Sequence, residues 1–69
     1  MSEEPKALHV SPTGENWEVE KESGASVAQA ETKEEAIEAA QEAASEEGAS
    51  EIIIHTADGR VEKEIPLSG

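Results

Sequence analysis

Residues 32–54 read TKEEAIEAAQEAASEEGASEIII, and the order of signals inside this stretch decides the fold. Thr32 and Glu35 have the spacing of a capping box, in which a hydroxyl accepts from the backbone three residues on and a carboxylate answers it. Gly48 is the matching stop, because helices commonly end on a glycine in the left-handed conformation. Between cap and stop, Ala36, Ile37, Ala39, Ala40, Ala43 and Ala44 make one apolar stripe at helical spacing. Small side chains let such a helix lie close on a sheet, and Ile37 is its only large anchor. Directly after the stop come Ile52, Ile53 and Ile54, branched residues that read as a strand.

Working outward, the C-terminal side is a hairpin. Asp58-Gly59 is a strong two-residue type I′ signal between residues 51–56 and 60–65. That turn sets Ala57 opposite Arg60, Ile54 opposite Lys63, His55 opposite Glu62 and Ile53 opposite Glu64. Ile52, Ile54, Val61 and Ile65 then share one face with Lys63, and Leu67 closes the sheet edge after Pro66. On the N-terminal side, residues 7–11 alternate Leu8 and Val10 with His9, and residues 16–22 alternate Trp17 and Val19 with Glu18 and Glu20. A four-residue loop, 12–15, sets Val10 opposite Trp17, Leu8 opposite Val19 and His9 opposite Glu18. A loop one residue longer splits the apolar set between two faces, since a slip of one turns every side chain over. Ser23-Gly24 is a second turn, and residues 25–31 read as a short edge strand built on Val27 or on Ala28 and Ala30.

The order is therefore β-β-(β)-α-β-β: a single α+β domain over residues 7–69, with one helix packed on one face of a small antiparallel-rich sheet. The expected strand order is 3-2-1-4-5, with strands 1 and 4 adjacent and parallel. Residues 1–6 read as a disordered N-terminal end. They have no basic start and no apolar run, so they do not resemble a signal peptide.

Composition narrows the functional classes. Seventeen acidic residues face five basic ones, a formal net charge of −12. The acids occur in every segment. On the helix, Glu34, Glu38, Glu42 and Glu46 form an i, i+4 column of like charges. Such a surface is costly in dilute buffer and cheap in molar salt, where the screening length falls to about 3 Å. The reading is a halophilic, cytoplasmic protein bathed in monovalent cations in bulk solvent. The field repels phosphate backbones and anionic lipid, which argues against nucleic-acid and membrane partners. No stretch reaches the ~20 apolar residues of a membrane span. With no cysteine, disulfides and thiolate metal sites are excluded.

Read together, His9-Val10-x-Pro12, Trp17-x-Val19, Thr32-Lys33-x-Glu35-Ala36-Ile37, Ile53-Ile54-His55 and Asp58-Gly59-Arg60-Val61 resemble the domain-of-unknown-function family 2188. The resemblance runs from about His9 to Gly69. Asn16 stands where the family usually has a glycine before the tryptophan, and Ala30 where it tends to carry a large apolar residue. The family brings no established activity, so the resemblance implies a fold and not a function. Its members occur in bacteria and in salt-loving archaea, which suits the composition.

No catalytic constellation is visible, and the chain reads as a non-enzyme with no cofactor. The metal candidates are His9, His55, Glu18 and Glu62, two histidines each opposite a carboxylate on the outer sheet face. Their spacing matches no metal motif, and surface histidines with cross-strand polar partners are the simpler account. Trp17 reads as a core anchor. Ile53, facing outward beside His55, is the strongest hint of a contact surface. The interaction candidates are thus His9, Ile53, His55, Glu62 and Glu64. The functional expectation is a protein-interaction or accessory domain using its exposed sheet face or edge, toward an unknown protein partner or a second copy of itself. The alternative is a small metal- or ligand-binding protein using His9 and His55.

Overall fold

The computed structural model describes residues 7–67; the expected disordered end, 1–6, lies outside them. Strands β1 (Ala7–Thr13), β2 (Asn16–Glu20) and β3 (Ser26–Ala30) precede helix α1 (Lys33–Glu47), and β4 (Glu51–His55) and β5 (Val61–Pro66) follow it. The strands form one sheet in the order β3-β2-β1-β4-β5. β1 and β4 are parallel and the other neighbouring pairs antiparallel, as the sequence order implies. The short strand after Ser23-Gly24 is present, as β3, on one edge.

The helix boundaries follow from the caps. Thr32 is extended (φ −128°, ψ 161°), and its hydroxyl accepts the Glu35 backbone N–H at 3.1 Å. At the other end Gly48 lies in the left-handed region, and its N–H donates to the Ala44 carbonyl at 2.8 Å. Ala36, Ala40 and Ala44 are the buried line of the helix, while Ile37 is only half-buried at its flank. The expected large anchor is therefore not the contact line. Methyl groups bring the helix down onto the sheet, and the large side chains come from the strands. Leu8, Val10, Val19, Ile52 and Ile54 are all at most 2% exposed. Each such side chain contributes roughly 1.5–3 kcal/mol by its burial.

Both hairpin turns differ from the expected ones. In the first, Val10 pairs with Val19, Pro12 with Trp17 and Thr13 with Asn16, leaving Gly14-Glu15 as a two-residue loop. Gly14 has φ 65° and Glu15 does not have positive φ, which is the type II′ requirement of glycine at the first central position. The register moves by two residues relative to the expected Val10–Trp17 pairing. A shift of two keeps every side chain on its face, so alternation could not distinguish the registers and the turn decided. Pro12 is accommodated because the β1–β4 ladder ends at Val10 and Ile54, so its missing N–H falls where one side of β1 is open. Trp17, beside the turn, packs on the rim of the core and is half-buried.

In the second hairpin, Asp58 has no positive φ, which excludes type I′. Thr56 N–H donates to the Arg60 carbonyl at 2.8 Å and Gly59 N–H to the Thr56 carbonyl at 2.9 Å. The loop is the three-residue form, with Gly59 at φ 90° in the position that closes it. Ile52, Ile53 and Ile54 keep their expected partners Ile65, Glu64 and Lys63. A bulge then intervenes, and His55 pairs with Val61 instead of Glu62. Val61 leaves the expected inner set and is 54% exposed. Leu67 is tied back by its N–H to the Ser50 carbonyl at 3.0 Å and packs on the core.

Helix α1 packs against β3, β1, β2 and β4, and reaches β5 through the Lys33–Glu62 ion pair at its start. It covers one sheet face and leans toward the β3 side. Among the described residues no helix lies over the opposite face of the sheet.

Candidate functional site

On that open face the parallel β1–β4 register sets His9 level with Ile53. His55, two residues beyond Ile53, points the same way. His9 Nδ1 and His55 Nε2 are 2.9 Å apart. The ring planes differ by 22° and the centroids are 5.1 Å apart. A centroid separation that long with nitrogens that close means the rings meet edge to edge through those nitrogens. On its other side, His9 Nε2 is 2.8 Å from Glu22 Oε1.

Glu22 sits in the turn between β2 and β3. That turn is closed by Lys21 N–H to the Ala25 carbonyl and Gly24 N–H to the Lys21 carbonyl, both 2.9 Å. An ionised carboxylate only accepts, so His9 Nε2–H donates to it. With His9 neutral, its Nδ1 is then an acceptor, His55 Nε2–H donates to it, and His55 Nδ1 is left as an acceptor. The chain Glu22–His9–His55 thus links the turn, β1 and β4 across the open face.

This chain lies in a shallow depression whose lining includes Ser11, Glu20, Glu22, Gly24, Thr56 and Gly59. Of the expected surface residues, His9, Ile53, His55 and Glu64 share the face, with Ile53 half-buried between His9 and Glu64. Glu62 does not join them. The bulge turns it away, and Lys33 at the start of α1 pairs with it. Glu18 lies opposite Ser11, and Glu20 takes the place opposite His9. Glu22 is the residue that sequence reasoning missed. The correct two-residue turn would have set Glu20 opposite His9 and brought the following turn within reach.

The arrangement suits a shared proton better than a shared metal. An ion lying in line between two imidazole nitrogens needs two bonds of about 2.0–2.1 Å, a span near 4 Å. The rings approach well inside that. Among the described residues, no group of three or more His, Cys, Asp or Glu side chains converges as a metal shell. The hydroxyls in the depression do not engage the rings either: Thr56 donates to Asp58. That bond holds the Asp58 carboxyl below its ordinary value of 3.8.

The electrostatics of the face are one-sided. Of the described cations, Lys21 is drawn to Glu47 at 3.2 Å, Lys33 to Glu62, and Arg60 to Asp58 at 3.6 Å. Lys63 stands opposite Ile54, on the helix side. None of these ion pairs is to Glu18, Glu20, Glu22 or Glu64, although Lys21 lines the depression together with Glu20 and Glu22.

Compared with known proteins, the chain matches the model of a family described as "Uncharacterized protein conserved in bacteria (DUF2188)" over residues 8–65. No curated protein and no solved structure matches it.

Proposed function

The chain belongs to the DUF2188 family, and from that premise and the geometry of its open face we propose that it is a non-enzymatic protein-interaction or accessory domain adapted to high salt. The observation that carries this reading is the uncovered sheet face, with half-buried Ile53 at its centre, the His9–His55 pair beside it and exposed Val61 next to His55. A flat sheet face with a small apolar centre and a polar surround suits face packing against another protein. The surplus of acidic over basic residues supports a cytoplasm rich in monovalent cations as its setting, and argues against nucleic acid and anionic membrane as partners. No helix among the described residues is long and apolar enough to cross a membrane.

The alternative, a small metal- or ligand-binding protein built on His9 and His55, has less support. The two facing nitrogens already bind each other, and Glu18 and Glu62 stand away from them. The test of the interaction reading is capture of partners from an extract of the source cells in molar KCl, with wild type and Ile53→Lys as baits. A partner retained by wild type and lost by Ile53→Lys, at unchanged melting temperature, supports it. Equal recovery by both baits overturns it.

A further inference from the structure

The two edges of the sheet are built differently. β5, on one border, carries Glu62, Lys63 and Glu64, ends on Pro66 and has a bulge at its start. Charges, proline and bulges are the usual guards against edge-to-edge pairing. β3, on the other border, reads SVAQA, with no charge and no proline, in a chain that is 32% charged. Its register against β2 contains one extra residue, Val27, and this bulge lies at the N-terminal end. Ala28, Gln29 and Ala30 continue as regular ladder, with β2 on one side and, among the described residues, no strand on the other.

The helix adds small apolar side chains beneath its acidic outer surface at the same border. Gln41 and Ser45 line a cleft with Ser50 and Leu67 on the β4–β5 side. The opposite flank of α1, with half-buried Ala39 and Ala43, therefore leans over β3.

We propose that β3 pairs antiparallel with β3 of a second copy of this chain, joining two five-stranded sheets into one continuous sheet. This rests on the reading of the chain as an interaction domain and names one partner and one border for it. A second copy fits because the border complements itself. With Gln29 on the two-fold axis, Ala28 meets Ala30 of the other copy, and Val27 meets its Glu31. No carboxylate directly opposes another. The Gln29 amide carries both donor and acceptor, so it can bond its own symmetry mate. Antiparallel pairing of identical edges has its axis perpendicular to the sheet, which sets the two α1 helices on the same face and covers the Ala39–Ala43 flank of each. It also brings Glu35, Glu42 and Glu46 of the two helices toward one another. Pairing is therefore opposed in dilute buffer and released in molar salt, where the screening length drops to about 3 Å.

Sedimentation equilibrium of the full chain at rising concentration, in ~0.05 M and ~3 M KCl, reads the pairing directly across strong and negligible repulsion. The expected result is a mass near 7.3 kDa in low salt and twice that in high salt. The chain has no cysteine, so a single introduced thiol reports position. Gln29→Cys, at an exposed site on the proposed axis, is expected to lock into a disulfide-linked dimer under mild oxidation in high salt. Lys63→Cys, on the guarded border, is expected to stay monomeric. A monomer at every concentration in high salt overturns the proposal, as does locking through Lys63→Cys as readily as through Gln29→Cys. A monomeric chain whose partner capture still depends on Ile53 overturns the edge pairing while leaving the open-face reading intact.

Discussion

Raising KCl from ~0.05 M to ~3 M, which spans strong to negligible screening, is expected to stabilise this fold substantially. Glu34, Glu38, Glu42 and Glu46 are all exposed on α1, one turn apart. Three like-charge pairs at about 0.2–0.5 kcal/mol each make the column cost about 1 kcal/mol in dilute buffer. Glu46 adds to this at the negative end of the helix dipole, where no basic residue stands in the last turn. Against these, the exposed pairs of Lys21, Lys33 and Arg60 return little, since exposed ion pairs are worth about 0–1 kcal/mol and are themselves screened. For a domain this small, about 1 kcal/mol moves the melting temperature by about 4–8 °C. Thermal melts followed by circular dichroism at ~222 nm, the helix band of α1, should therefore rise by at least that much across the salt range. Glu42→Lys isolates the cause, because it converts two of the three repulsive pairs into attractive ones. Its melting temperature should exceed wild type by about 4–8 °C in dilute buffer and match it in ~3 M KCl. A flat wild-type curve, or a Glu42→Lys gain that persists in high salt, would refute the reasoning.

Leu8→Ala, at a site 2% exposed, should cost about 2–5 kcal/mol in high salt by chemical denaturation; a loss below ~1 kcal/mol, the size of a surface change, would contradict the core assignment. Calorimetric titration with zinc or nickel in molar KCl should show no stoichiometric site of micromolar affinity, because His9 and His55 are bound to each other; such a site, abolished by His9→Ala, would restore the ligand-binding reading. The Asp58 carboxyl, held low by the Thr56 hydroxyl, contributes stability that is fully present above its ordinary value of 3.8 and is lost as pH falls through the lower folded value. Melting curves of wild type and Asp58→Asn should therefore differ near neutrality and converge in strong acid. A constant gap across that acid range would remove the Thr56–Asp58 contact as its cause.

How much of this was legible beforehand depended on which physical signal each feature carries. The helix was readable because its cap, stripe and stop are all local: Thr32, the alanines and Gly48 each act within a turn or two of chain. The faces of the strands were readable because alternation fixes parity. Parity does not fix register, so Val10 could slide from Trp17 to Val19 without exposing an apolar residue. The Asp58-Gly59 pair marked a turn, yet the backbone of Asp58 selected a three-residue loop and a bulge. That one extra residue moved Glu62 to Lys33 and Val61 to the surface. Glu22 was invisible as a partner of His9, because their contact depends on both the first turn and the second.

The sequence by itself determined the element order, the sheet's two faces, the family, and a surface whose charge is spread over every element. Those properties are set by short-range spacing and by composition, which do not depend on how distant segments meet. Only the tertiary structure decided that His9 and His55 share one hydrogen bond, that Glu22 completes the chain, and that Lys21, Lys33 and Arg60 pair with Glu47, Glu62 and Asp58. Each of these rests on the parallel pairing of β1 with β4 and on turn geometry of one or two residues. In the first hairpin the competing registers bury the same apolar atoms, and backbone conformation at a few positions makes the choice.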